Sequence, residues 1–146
     1  MVSSKSFLDK AQELKARGVE FSFEMGTRVA RGYADLGTEE FQLIGPFKTV
    51  SLFTGKQSEI PEEHLKFFFR VPELEELTDE LTRRGAVVLG LAFRDQRRWI
   101  LTLRLAAEQR DFEHEALEET FVDALLSLLP QAEESQKPPR LKTVKE

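Results

Sequence analysis

The sequence predicts an α+β fold: a single antiparallel sheet of five to six strands with three helices packed on one face, in the order α-β-β-β-(β)-α-β-β-α. Three observations carry this expectation. Apolar residues at helical spacing recur in three segments, Phe7–Leu14, Leu74–Leu81 and Leu117–Leu128, each closed by Gly, Pro or a basic turn. Between them lie runs in which apolar and polar residues alternate. The loops joining those runs are short, so neighbouring strands pair antiparallel and the one-faced helices must cover the apolar side of the sheet.

The first helix follows a Ser4-Lys5-Ser6 cap signal and buries Phe7, Leu8, Ala11 and Leu14, with Lys15, Arg17 and Gly18 closing it. Val19–Met25 alternates four apolar with three polar residues and reads as a half-buried strand. From Gly26 to Gly55, two or three strands are expected within Arg28–Leu36 and Phe41–Phe53. There Val29/Arg31/Tyr33 and Ala30/Gly32/Ala34/Leu36 are equally tolerable inward sets. Leu65–Val71 alternates again, placing Leu65, Phe67, Phe69 and Val71 inward and Lys66, Phe68 and Arg70 outward. Pro72 opens the second helix, which carries Leu74, Leu77 and Leu81 and ends at Arg83-Arg84-Gly85. Ala86–Phe93 and Arg98–Leu105 then form a hairpin, with Val87, Leu89, Leu91 and Phe93 on the same face as Trp99, Leu101, Leu103 and Leu105. Asp111 is read as the cap of the last helix, which Pro130 stops. Residues 1–130 make one globular domain, and residues 131–146, with two prolines and a basic excess, read as a disordered tail.

Composition narrows the function classes. Of the 146 residues 40% are apolar and 32% charged, with a net charge of −5. No run approaches the ~18 apolar residues of a membrane-spanning helix. The opening residues carry charges every few positions, unlike a secretory signal, so a cytoplasmic protein with no membrane partner is expected. The absence of Cys removes disulfides, thiolate ligands and Cys nucleophiles. His64 and His114 have no second His at helical spacing and read as solvated residues among carboxylates. No Gly-x-Ser-x-Gly elbow and no Gly-rich phosphate loop occurs. The acids Glu75, Glu76, Asp79 and Glu80, and likewise Glu113, Glu115, Glu118, Glu119 and Asp123, read as solvated helix faces. The expectation is therefore a chain with no catalytic residues, no metal and no cofactor.

Basic and outward apolar residues point elsewhere. Between Arg83 and Arg104 six arginines face a single aspartate, Asp95. Glu108–Glu134 holds nine acids against Arg110, enough to neutralise that excess within one molecule or across two. Arg in place of Lys suits forked recognition of carboxylate or phosphate. Arg94 and Arg98 also match the Arg-x-x-x-Arg half of a cyclic-dinucleotide pattern, although its Asp/Asn-x-Ser-x-x-Gly partner motif is missing. Phe68 beside Arg70, and Ile100 beside Arg98 and Arg104, suggest a mixed apolar and cationic outer sheet surface. The expected function is a non-enzymatic protein-binding module: an adaptor, a chaperone-like protein or a regulatory subunit. Its contacts would be Phe68, Arg70, Ile100, Arg104, Arg94, Arg97 and Arg98, and its partner another protein or its own copy in a homodimer. The alternative is a nucleic-acid or nucleotide-phosphate binder using the hairpin at 94–98, which the negative net charge opposes.

Overall fold

The computed structural model describes residues 3–33 and 37–129; the expected tail at 131–146, together with Ala34 and Leu36, lies outside them. Helix α1 (Lys5–Ala16) starts where the Ser signal puts it: Ser4 Oγ accepts the Phe7 N–H at 3.1 Å. Its Phe7, Leu8, Ala11 and Leu14 are all buried. Strands β1 (Arg28–Tyr33), β2 (Gly37–Gly45), β3 (Lys48–Ser51), β4 (Gln57–Glu59) and β5 (Phe68–Val71) then form an antiparallel sheet in the order β4-β3-β2-β1-β5. Helix α2 (Leu74–Arg83) leads into a second antiparallel sheet of β6 (Ala86–Arg94), β7 (Arg98–Leu105) and β8 (Glu108–His114), and helix α3 (Leu117–Ser127) follows.

The fold is α+β, but it has two sheets, of five and three strands, where the sequence suggested one. Alternation marks a residue as strand without saying which edge that strand joins. After α2 the chain starts a new sheet rather than extending β4 or β5. Both sheets nevertheless feed one core. Ala30, Phe69 and Val71 come from the first, Ala86, Leu101 and Leu103 from the second, and Phe7, Leu14, Leu77, Leu81, Phe121 and Leu125 from the helices between them.

Three segments depart from the sequence reading. Val19–Met25 is not a strand: residues 19–24 join no ladder and Met25 lies in a turn, and the Ser22 carbonyl accepts from the Arg70 guanidinium instead of a strand N–H. The first half of Leu65–Val71 is a 3-10 turn, Glu62–Phe67, and only Phe68–Val71 is strand. Asp111 does not cap a helix: it lies within β8, opposite Thr102, and α3 begins at Leu117 after Ala116. β8 escaped the pattern because Phe112 is its only apolar residue, and Ala106, at φ +55° in the preceding turn, is not a residue type that advertises one.

The first sheet is covered on both faces, which resolves the ambiguity at β1. Ala30 faces the main core, while Val29 faces a second cluster with Phe41, Leu43, Ile60 and Phe68. Leu65, from the 3-10 turn, packs against that second cluster. Val29 and Ala30, one from each set, are therefore both inward, on opposite faces of the sheet.

Polar groups fasten the layers. Glu119 of α3, read from sequence as solvated, is 3% exposed. It accepts from Ser4 Oγ at 3.2 Å, Ser6 Oγ at 2.8 Å and Lys10 Nζ at 2.7 Å. His114 Nε2 stands 3.3 Å from the same carboxylate, while its Nδ1 accepts the Ala116 N–H at 2.9 Å. That histidine is consequently a brace at the start of α3 and not a solvated ring. Glu40 on β2, fully buried, similarly accepts from the Ser3 N–H, the Ser3 hydroxyl and Arg28. Glu80 of α2 is buried against Arg83 and Arg84 on its own helix.

Two outcomes follow. Leu103, fully buried on β7, loses its packing on truncation, so Leu103→Ala lowers unfolding free energy in a denaturant melt by about 2–5 kcal/mol. The Glu119 pair sets the pH response. Burial alone raises the Glu119 pKa, but the Lys10 ammonium, the Ser6 hydroxyl and His114 outweigh it and hold the carboxyl below its ordinary 4.5. Burial likewise lowers Lys10, yet Asp123 and Glu119 prevail and raise it above 10.5. A depressed carboxylate stabilises the fold above its unfolded pKa, and that contribution is lost as pH falls through the folded value. A raised ammonium stabilises below its unfolded pKa, and that contribution is lost as pH rises through the folded value. Melting temperature plotted against pH is therefore flatter on the acid side for Glu119→Gln and flatter on the alkaline side for Lys10→Met than for the native chain.

Candidate protein-binding surface

From Ala86 to Phe93 the chain carries eight residues without a charge, a proline or a polar side chain. The structure places this run at the edge of a sheet: β6 pairs with β7 on one side and with no described strand on the other. Edge strands of soluble proteins are usually blunted by charge, proline or shortness. β6 is nine residues long and lacks all three devices between its ends.

The pairing with β7 determines which side chains point where. Ala86, Val88, Leu91 and Phe93 oppose Leu105, Leu103, Leu101 and Trp99, on the face that meets the helices. Val87, Ala92 and Arg94 oppose Arg104, Ile100 and Arg98 on the outer face. A β-bulge between Val88 and Gly90 inserts Leu89 and switches the alternation at mid-strand. This corrects the expectation that Val87 shares a face with Leu91 and Phe93, because the bulge turns it to the arginine side.

Helical cover reaches only the start of β6. α2 packs on β6 and α3, while α3 lies over β7 and β8. Ala86 is buried, but Leu91 is 43% and Phe93 50% exposed, although both are on the helix side. Val87, Val88 and Leu89 are exposed as well. Phe93 leans on the half-buried Trp99 with ring centroids 4.7 Å apart. The result is a continuous apolar strip along an open backbone edge, a combination that monomeric proteins rarely leave in water.

The arginines frame one end of this strip. Asp95, Gln96 and Arg97 form the turn, the first two with φ of +55° and +54°. Arg94 and Arg98 are direct cross-strand neighbours, with Arg97 in the turn between them. Arg98 Nε lies 3.7 Å from Glu113 on β8, so the neutralising acid comes from a strand and not from a helix. Arg104 is exposed opposite Gln109, and Ile100 is half-buried between Ala92 and Glu113.

Phe68 and Arg70 are elsewhere. Phe68 is 5% exposed, edge-on to Phe41 at 5.7 Å, and packed among Val29, Leu43 and Ile60. Arg70, also buried, holds Glu76 and the Ser22 carbonyl and lies 5.9 Å from the Phe21 ring. Neither belongs to an open outer face. They were misplaced because the 3-10 turn and the Ile60 region cover a face that the sequence left bare. Both line a groove of about 340 Å³ with Lys15, Phe21, Phe23 and Leu65, on the first sheet and away from β6. Of the seven anticipated contact residues, the structure gathers Arg94, Arg97, Arg98, Ile100 and Arg104 on one sheet and separates Phe68 and Arg70 from them. The residues missed are Val87, Val88, Leu89, Leu91 and Phe93. Their signal was present as an unbroken apolar run with no gatekeeper, a pattern equally compatible with a strand covered by helices.

Among the described residues, no three His, Asp or Glu side chains are grouped closely enough to hold a metal ion, and no helix is long and apolar enough to cross a membrane. No protein-family model matches the chain, and neither the curated proteins nor the solved structures compared with it give a match.

The burial of Phe68 gives a direct check. Phe68→Ala removes a packed ring from the second cluster and lowers stability in a denaturant melt by about 3–5 kcal/mol. A surface Phe would change it by less than about 0.5 kcal/mol.

Proposed function

We propose that this chain is a non-enzymatic protein-binding module that docks a partner along β6. One observation carries the reading: a nine-residue edge strand presents unpaired backbone and five exposed apolar side chains from Val87 to Phe93. Unpaired N–H and C=O groups offer main-chain hydrogen bonds to an added strand, and the apolar side chains supply the burial that makes the addition favourable. Arg94 and Arg97 at the end of the strip contribute register and orientation more than affinity.

Arg94 and Arg98 side by side favour a nucleic-acid or nucleotide-phosphate reading at the same hairpin end. Glu113 beside Arg98 and the net charge of −5 weigh against it. The two readings respond oppositely to salt, since binding through counterion release weakens steeply and apolar burial does not. The immobilised chain, exposed to an extract of its native cells, is expected to retain protein after nuclease treatment and at about 0.5 M salt, where exposed charges are screened. Replacing Phe93 and Leu91 by Ser and Lys abolishes that retention, whereas replacing Arg94 and Arg97 by Gln leaves most of it. The converse pattern, with loss on nuclease treatment and on removal of the arginines, overturns the proposal in favour of nucleic acid.

A further inference from the structure

We infer that the occupant of the β6 edge is β6 of a second copy of this chain, paired antiparallel about a twofold axis that passes between Leu89 and Gly90. The inference rests on the reading of β6 as a docking edge and adds the identity and register of what docks there.

The argument starts from the bulge. In an antiparallel pair, residues directly opposite point to the same face. A twofold axis perpendicular to the sheet keeps helices on one side in both copies, so helix-side residues must meet helix-side residues. Before the bulge these are Ala86 and Val88; after it they are Leu91 and Phe93. A register centred between Leu89 and Gly90 satisfies the condition along the whole apolar run. Ala86 then opposes Phe93 of the partner subunit and Val88 opposes Leu91 of the partner subunit, both on the helix side. Val87 opposes Ala92 of the partner subunit on the outer face. Sliding by two residues either shortens the ladder or sets a helix-side residue against an outer one. The bulge would thus do for the dimer what strict alternation does for an ordinary strand pair.

Size and charge fit the same register. The bulkiest side chain, Phe93, meets the smallest, Ala86. Arg94 falls just past Ala86 of the partner subunit, where β6 begins, so no two arginines are opposed within the ladder. Such self-complementarity is the requirement of an isologous interface.

The test uses the native chain and a chemical ruler. Sedimentation equilibrium should give a dimer, and Leu91→Lys should weaken association about a hundredfold while circular dichroism stays native. Because the chain has no Cys, paired cysteines report register without dependence on Leu91. Val87→Cys with Ala92→Cys in one chain should give a covalent dimer on mild oxidation. Val87→Cys with Phe93→Cys, on opposite faces, should not. A native chain that stays monomeric at about 100 μM, well above the Kd of any stable dimer, overturns self-pairing, as does equal cross-linking of both cysteine pairs. If that monomer becomes a dimer when residues 131–146 are removed, the tail is the native occupant and self-pairing is overturned in its favour. A monomer whose capture of a different protein is still lost in Leu91→Lys overturns self-pairing and leaves the docking edge standing. A chain in which Leu91→Lys alters neither assembly nor capture overturns both.

Discussion

A single buried carboxylate, Glu119, holds the position of the helical layer on which the rest of the structure depends. It collects Ser4 and Ser6 from the start of α1, Lys10 one turn on and His114 from the end of β8. A charge so far from water is tolerable only when its lone pairs are filled and a cation stands beside it. The arrangement therefore fixes α1, α3 and the second sheet relative to one another. His114 is committed to it through both ring nitrogens, since Nδ1 accepts the Ala116 N–H and leaves Nε2 to face the acid. With α3 anchored over β7 and β8, α2 packs beside it, and the cover runs out across β6.

The exposed strip is thus a consequence of where the helices are held. Leu101 and Leu103 on β7 are fully buried under the helices, while Leu91 and Phe93, their neighbours on the same face, stand in water. The residues are equally apolar, and only their distance from the helix layer differs. The bulge at Leu89 then turns Val87 to the outer face, so β6 is apolar on both sides as well as along its edge. Each of these features is an aggregation liability in an isolated chain, and together they make sense if the edge is normally covered.

Electrostatics has a separate division of labour. Most arginines that looked available from their spacing are committed locally: Arg83 and Arg84 to Glu80, Arg70 to Glu76, Arg98 to Glu113. Pairs so close in sequence, or on adjacent strands, contribute little net energy when exposed and mainly orient side chains. The exception is the fully enclosed Arg70, whose Nε has no hydrogen-bond partner even though its other nitrogens are satisfied. It holds the strandless segment around Ser22 against the first sheet.

What the sequence by itself determined is what short-range physics controls. The cap at Ser4, the apolar stripes of three helices, the β6–β7 hairpin and the α+β class all follow from periodicity within a dozen residues, and Leu101 and Leu103 were legible as core for the same reason. Tertiary structure alone decided the division into two sheets, the burial of Phe68 and Arg70, the conversion of Glu119 from a solvated acid to a central tie, and the exposure of Leu91 and Phe93. These depend on contacts between segments tens of residues apart, such as Phe41 with Phe68 or Ser4 with Glu119, and alternation is silent about them. β8 lies between the two cases: its pairing with β7 is local, but an edge strand that faces solvent needs no apolar alternation, so Glu108–His114 carried none to read.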